Sequence, residues 1–457
     1  MKTIIITLIT LFFTFLNSYA QLRPAITSFL QNETETGSYY ISGNSTAIDN
    51  NILVNCQQIE YSDNFVYITA TGVPAYPTGP FLDGNPSNAQ NQNNIIKLPL
   101  LPQENTGTPD TTVGGNIGVF VNGVALFDYR DGVAWNPATN SLCGGPGNPP
   151  CPGGPNASMD WNRDAIPAEM DGFDCSKGHP AMGNYHHHQN PSAFKLDLDI
   201  VSDICNLYDA DGLYFIDETI HSPLIGFAFD GFPIYGAYGY RNADGSGGLE
   251  RIKSGYQLRD ITERTHWADG TDVDDGPEVN ATYFLGYFRE DYEFISHSEE
   301  DYLDEHNGRF CVTPEYPDGT YAYFATVNET WNSAYPYAVG PTFYGNFENR
   351  IVTSITEATT IYEEELNVSE TIFNQQNIKV FPNPTSDLIA VQLGGLVIEN
   401  LKIELYDTTG KLLKTTSIKP GSTIAYFDVQ TLYAGVYLVK IASETKSIFK
   451  KVIVKRD

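Results

Sequence analysis

Four of the chain's eight histidines fall between His179 and His188, in the run Gly178-His179-Pro180-Ala181-Met182-Gly183-Asn184-Tyr185-His186-His187-His188-Gln189. On a strand successive side chains alternate faces, so His186 and His188 project together, about 6.7 Å apart along the chain, and His187 points the other way. That pair is a two-imidazole platform. His179 arrives from the far side of a Pro/Gly turn and can supply a third ring. Neutral imidazole suits Zn, Cu, Fe or Ni, and three of them leave a coordination position for water or substrate. The metal expected at His179, His186 and His188 is a transition metal, zinc or copper foremost. The competing account of the same residues is a polar loop whose imidazoles hydrogen-bond to backbone.

Other groups compete for chemical roles. His221 opens an apolar strand that ends in the Asp230-Gly231 turn; His221 and Asp230 are candidates for an additional ligand or for a carboxylate that orients one, with a turn aspartate as the plainer account of Asp230. Asp304-Glu305 with Arg309 has the makings of an acid/base unit, or of a salt bridge at a turn. Cys143 and Cys151 enclose a Gly/Pro-rich loop, and closing it would stabilise by about 2–3 kcal/mol; Cys175 is either a ligand beside His179 or, more in keeping with an exported protein, a disulfide partner of Cys205. The acidic run Asp269 to Gly276 misses the EF-hand register, because Pro277 stands where the loop needs glycine. No serine-nucleophile elbow, protease-type Cys/His constellation, His-Glu-x-x-His or phosphate loop is present.

These residues belong to a chain of 457 residues with net charge −30, 41% hydrophobic and rich in tyrosine, with 29. Such an excess of acid repels phosphate backbones and anionic lipid, which excludes nucleic acid as a partner. The charge divides unevenly: residues 377–457 carry 11 basic and 7 acidic groups, net +4, whereas residues 1–376 carry 15 and 49, net −34. Lys2, the apolar run Ile4 to Leu16 and Ser18-Tyr19-Ala20 read as a signal peptide over residues 1–20, and no other segment is apolar enough to be transmembrane. Residues 356–376, with five Glu and no Lys or Arg, read as an acidic linker. The body, residues 21–355, shows short alternating runs and frequent turns such as Asn122-Gly123 and Asp230-Gly231, and no long helical period. Asn122-Gly123 suggests a two-residue type I′ hairpin. The expected architecture is all-β or β-dominated: one large β-rich domain with long loops, no visible internal repeat, and a small C-terminal β-sandwich.

Within residues 377–457, Val380-Phe381-Pro382-Asn383-Pro384-Thr385, Leu405-Tyr406-Asp407, Gly410-Lys411, Ala434-Gly435-Val436-Tyr437-Leu438-Val439-Lys440 and a Lys-rich last strand resemble the type A sorting domain of the type IX secretion system. The resemblance implies passage across the outer membrane of a Bacteroidota-type bacterium, with that machinery as the tail's partner, then removal of the tail and attachment at the cell surface or release.

The body resembles the bacterial YHYH-domain family, named for a Tyr-His-Tyr-His motif. The resemblance rests on His179-Pro180, Gly183 and Tyr185 to Pro191, on Gly118 to Val124, Trp161 to Ala165, His221 to Gly236, Glu290 to Glu293, Leu303 to Phe310 and Thr313 to Tyr321, which together span about Tyr61 to Gly345. His187 stands where the family motif has its second tyrosine; by strand parity that change falls opposite His186 and His188. The resemblance implies no particular reaction. The leading expectation is a secreted, surface-attached metal-binding protein. Its alternatives are a metal-free adhesion or glycan-binding module that stacks Tyr and Trp on sugars, and an extracellular metallo-hydrolase or oxidase working through an open metal position.

Overall fold

The computed structural model describes residues 22–363 and 378–456, apart from 84–86, 155–158, 197–202, 209–211, 394–399, 409, 421 and 444–446. The expected signal peptide and residues 364–376 of the expected linker lie outside the described residues.

Eight strands form the sheet that carries the histidines: β1 (Asn116–Phe120), β2 (Ala125–Phe127), β3 (Gly178–Ala181), β4 (Asn184–His187), β5 (Leu224–Ala228), β6 (Pro233–Tyr235), β7 (Gly308–Cys311) and β8 (Thr320–Phe324), in the order β3-β4-β2-β1-β5-β6-β8-β7. The sheet is mixed, with β2/β4 and β6/β8 parallel and the other neighbours antiparallel. Parallel neighbours need a long crossover. That accounts for the long connections between residues 128 and 177 and between 236 and 307. Leu224–Ala228 is buried at every residue, as expected of a strand covered on both faces, which reads as a continuous apolar run. A five-stranded sheet made of residues 351–352, Asn94–Pro99, Phe65–Ala70, Cys56–Tyr61 and 360–361 packs against it. Ile59, Val66, Ile68 and Leu98 from that sheet join Val119, Phe227, Ile234 and Tyr323 in one core.

The strand order reads the same from either end because the two halves repeat. Val119 pairs with Ala125 and Gly118 with Leu126; 108 residues later Phe227 pairs with Pro233 and Gly226 with Ile234. Both ladders shift register at the corresponding place, before Gly118 and before Gly226. The outer hairpins correspond too: Gly178↔His187 and His179↔His186 in one half match Gly308↔Tyr323 and Arg309↔Ala322 in the other. At the centre, Gly226↔Phe120, Phe227↔Val119 and Ala228↔Gly118 map onto themselves under the exchange. The body therefore has an internal pseudo-twofold that the sequence did not display. Spacing between hairpins differs between the halves, and most corresponding side chains have diverged, so no fixed period survives.

The same comparison corrects the turn. Asn122 keeps an ordinary φ and only Gly123 is left-handed, at φ +76°. Phe120 receives Gly123 N–H at its carbonyl and bonds Val124 through its own amide, the pattern of a three-residue loop closed by a left-handed glycine. Phe229-Asp230-Gly231 repeats it, with Gly231 at φ +96°. Glycine is also needed at 123 because a Cβ there would meet Ala70 Cβ at 2.6 Å.

The start of the expected linker belongs to the body: Thr360 and Ile361 pair with Tyr61 and Glu60, and Glu357 accepts from the Tyr67 hydroxyl at 2.5 Å. A β-branched pair extends an otherwise open edge strand there. In the tail a three-stranded and a four-stranded antiparallel sheet share a core that includes Ile389, Val391, Ile403, Val439 and Val452. Both parts are β-dominated, and among the described residues no helix is long and apolar enough to cross a membrane.

Candidate metal centre

The β3–β4 hairpin turns on Met182 and Gly183, both left-handed at φ +50° and +89°, the two-residue type I′ connection. Its base is knotted by Asp174, which accepts from the amides of Ser176, Gly178 and Gly79 at 2.9, 3.1 and 2.9 Å and from the Tyr185 hydroxyl at 2.9 Å. Burial nevertheless pushes the Asp174 carboxyl up to about 7. Gly178 is required because a Cβ would lie 2.4 Å from the Tyr185 oxygen. The disulfide Cys175–Cys205 fastens the same base, and Cys143–Cys151 closes the Gly/Pro loop. Cys175 is thereby a bridge and not a ligand.

On this hairpin His179 and His186 face each other across the ladder, and His188 follows on the same side as His186. The ligand nitrogens of the three lie within 4.8 Å of one another, the group of that kind found among the described residues. His186 Nδ1 donates to the Asn184 carbonyl at 2.9 Å and His188 Nδ1 to the Asp128 carbonyl at 2.5 Å. A carbonyl only accepts, so each Nδ1 carries a proton, which leaves Nε2 as the atom either imidazole would offer to a metal. Nε2 of His188 is 3.1 Å from that of His186 and 3.4 Å from that of His179.

The sequence reading missed a fourth group, Glu169. Its Oε2 stands 3.3 Å from Nε2 of both His179 and His188. It comes from the short helix Ala165–Glu169, whose N-cap Asp164 accepts from Ile166 N–H. An Asp before an apolar pair with Pro167 in the first turn is a legible helix start, yet nothing in the pattern separated this carboxylate from the body's 43 others. Four of the six separations among these donor atoms are 3.1–3.4 Å, near the edge length of a tetrahedron around a zinc ion with ligands at about 2.0 Å.

Protonation follows the same geometry. Burial raises the Glu169 carboxyl, but His179 and His188 overcome it and hold it well below the carboxylate range. Burial lowers His188 too, and Glu169 with the Asp128 carbonyl reverses that; burial and the two neighbouring imidazoles keep His186 far down, hence neutral. Phe127 stacks on His186 at 3.8 Å and Phe173 meets His179 edge-on at 4.9 Å, and the three histidines are 2–7% exposed. The Glu169 side chain, at 26%, is the wettest of the four.

His187 faces the core, where its Nε2 meets the Tyr76 hydroxyl at 2.8 Å and burial lowers it to about 3. The pseudo-twofold explains the departure from the motif. The counterpart of His187 is Tyr323, whose hydroxyl donates to Asp230 at 2.6 Å; the counterpart of Asp230 is Asn122, and here His187 reaches Tyr76 instead.

His221 and Asp230 do not join the cluster. Asp230 accepts from Tyr323, from Gly345 N–H at 2.9 Å and from Phe232 N–H at 3.2 Å, which makes it a turn and packing residue. Asp304 accepts from Tyr321, while Arg309 donates to carbonyls of Tyr240, Arg241 and Glu300; the two form no acid/base unit. His221 lies among Tyr235, Tyr240 and Phe324 with Nδ1 donating to the Ser222 carbonyl. Burial, with Arg309 adding to it, lowers His221 to about 4 against the opposing Ser222 bond. A depressed pKa contributes stability above the unfolded value near 6.5 that is lost as pH falls towards 4. His221→Gln is therefore expected to weaken the fall of the urea midpoint between pH 7 and pH 4.5; an unchanged slope refutes this.

The YHYH protein family model matches residues 95–336, just over half of the chain. The chain belongs to the YHYH protein family. The matched segment contains all eight strands, the YHYH hairpin and Glu169. A second model, the secretion system C-terminal sorting domain, matches residues 379–455, so this YHYH protein carries an address for type IX export to the cell surface or beyond. An endo-acting ulvan lyase of Formosa agariphila is 31% identical over 93 residues, which cover 20% of this chain and 17% of the lyase. With under a fifth of that enzyme matched, its activity does not carry over.

Proposed function

We propose that this secreted, surface-directed YHYH protein binds one transition-metal ion through Nε2 of His179, His186 and His188 and Oε2 of Glu169. The observation that carries the reading is the set of ligand-edge distances of 3.1–3.4 Å with two imidazole tautomers pinned from behind. Zinc suits a closed tetrahedral N3O set better than copper(II), which prefers tetragonal sites. A metallo-hydrolase or oxidase would need a vacant position, and in the proposed four-ligand set Glu169 takes it. Elemental analysis of the purified full chain dialysed against zinc, with copper buffered to a low free concentration because copper(II) otherwise outcompetes zinc at N/O sites, is expected to find one zinc ion per chain. Less than a tenth of an equivalent of either metal would end the proposal. Glu169→Gln keeps the shape and removes the charge; its zinc affinity, read by competition with a chromogenic chelator, is expected to fall at least about tenfold, the lower range for disturbing even an outer partner of a ligand.

A further inference from the structure

The pseudo-twofold puts the metal centre opposite a second, non-histidine arrangement, and the comparison assigns the ion a role. The counterparts of His179, His186 and His188 are Arg309, Ala322 and Phe324. Arg309 is 8% exposed. Its guanidinium lies 5.5 Å over the Phe324 ring and donates to the carbonyls of Tyr240, Arg241 and Glu300. Glu300 precedes Arg309 by nine residues, as Glu169 precedes His179 by ten.

The knots below the two centres correspond as well. Asp304 accepts from the amides of His306 and Gly308 and from the Tyr321 hydroxyl, just as Asp174 accepts from Ser176, Gly178 and Tyr185. Lys177 and Asn307 are both left-handed, at φ +62° and +65°. A Cβ on Gly308 would lie 2.4 Å from Tyr321, as one on Gly178 would from Tyr185. On one scaffold, then, each half places a cation at the first hairpin strand and ties it to the segment nine or ten residues upstream.

We infer that the ion at His179, His186, His188 and Glu169 is a structural clamp, the counterpart of the Arg309 guanidinium, which pins the segment 165–171 to the β3–β4 hairpin. This rests on the metal-binding reading. A guanidinium cannot activate water or change oxidation state, so what the two cations share is charge and directed bonds to a neighbouring segment. Four protein ligands, with the imidazoles almost fully buried, are also the mark of a structural ion.

Hydrogen exchange on the full chain tests the clamp, with zinc content measured on the same samples. Stripping zinc with a chelator is expected to speed exchange of amides 165–171 at least tenfold while amides 224–228, in the central strand, stay unchanged. In zinc-loaded protein Arg309→Met is expected to do the same to amides 299–303, and Arg309→Lys, which keeps the charge and loses the fork, to do so less; if the Met variant does not fold, the Lys variant and the stripping arm still decide. One bound zinc whose removal leaves 165–171 unaltered overturns the clamp and leaves metal binding standing. A chain that takes up no zinc overturns both.

Discussion

Replacing His186 and His188 together by alanine is expected to reduce bound metal from one equivalent to below a tenth, and to lower the melting temperature of the zinc-loaded protein by several degrees. In the proposed set two of four ligands would be lost, leaving His179 and Glu169, whose donor atoms lie 3.3 Å apart, as a bidentate remnant from two separate segments. At a zinc concentration a thousandfold above the dissociation constant, binding to the folded chain alone contributes about 4 kcal/mol. For a domain of this size each kcal/mol moves the melting temperature by about 2 °C, so a fall of roughly 8 °C is expected in zinc and little difference in chelator. His187→Ala is the control. It is wholly buried on the opposite side and removes one of the partners of the Tyr76 hydroxyl, so it should destabilise equally in zinc and chelator while keeping one bound ion. Metal retained by the double variant, or lost from the His187 variant, would contradict the assignment of faces.

Removing the Cys175–Cys205 bridge by Cys175→Ser and Cys205→Ser is expected to cost about 3.6 kcal/mol on chain-entropy grounds, for a sequence separation of 30. The bridge encloses the whole hairpin, all three histidines included. Its loss frees the chain beside Asp174, so zinc affinity should fall with stability. The Cys143–Cys151 bridge closes a separation of only 8 and should be worth about 2.5 kcal/mol, without effect on zinc, since neither cysteine touches the cluster. Urea unfolding and zinc competition on both serine pairs separate the cases. Equal effects on zinc from the two bridges would show that the first acts only through global stability.

Much of this was readable from residue order. Alternation placed His186 and His188 on one side and His187 on the other, and the structure keeps that division because a strand has no other parity. Cys143–Cys151 and Cys175–Cys205 were candidate bridges among fifteen possible connectivities, which only the structure selects, and the small tail sandwich follows from its alternating strands. Glu169 was not readable, because a carboxylate on a short capped helix ten residues upstream has no periodic relation to a hairpin. Nor was the repeat. Its evidence lies in ladder register and in the Asp174–Tyr185 and Asp304–Tyr321 knots, while the side chains at the corresponding centre, His179 against Arg309 and His188 against Phe324, have nothing chemical in common.

Sequence by itself determined the compartment, the β-dominated class and the three imidazoles, since export signals, strand parity and ligand type are local properties of the chain. Tertiary structure decided the rest: that a carboxylate stands beside the three imidazoles, that His221 and Asp230 lie apart from them, and that a guanidinium holds the matching place in the other half. Those depend on which distant segments the crossovers bring together, and distance in space is not written in spacing along the chain.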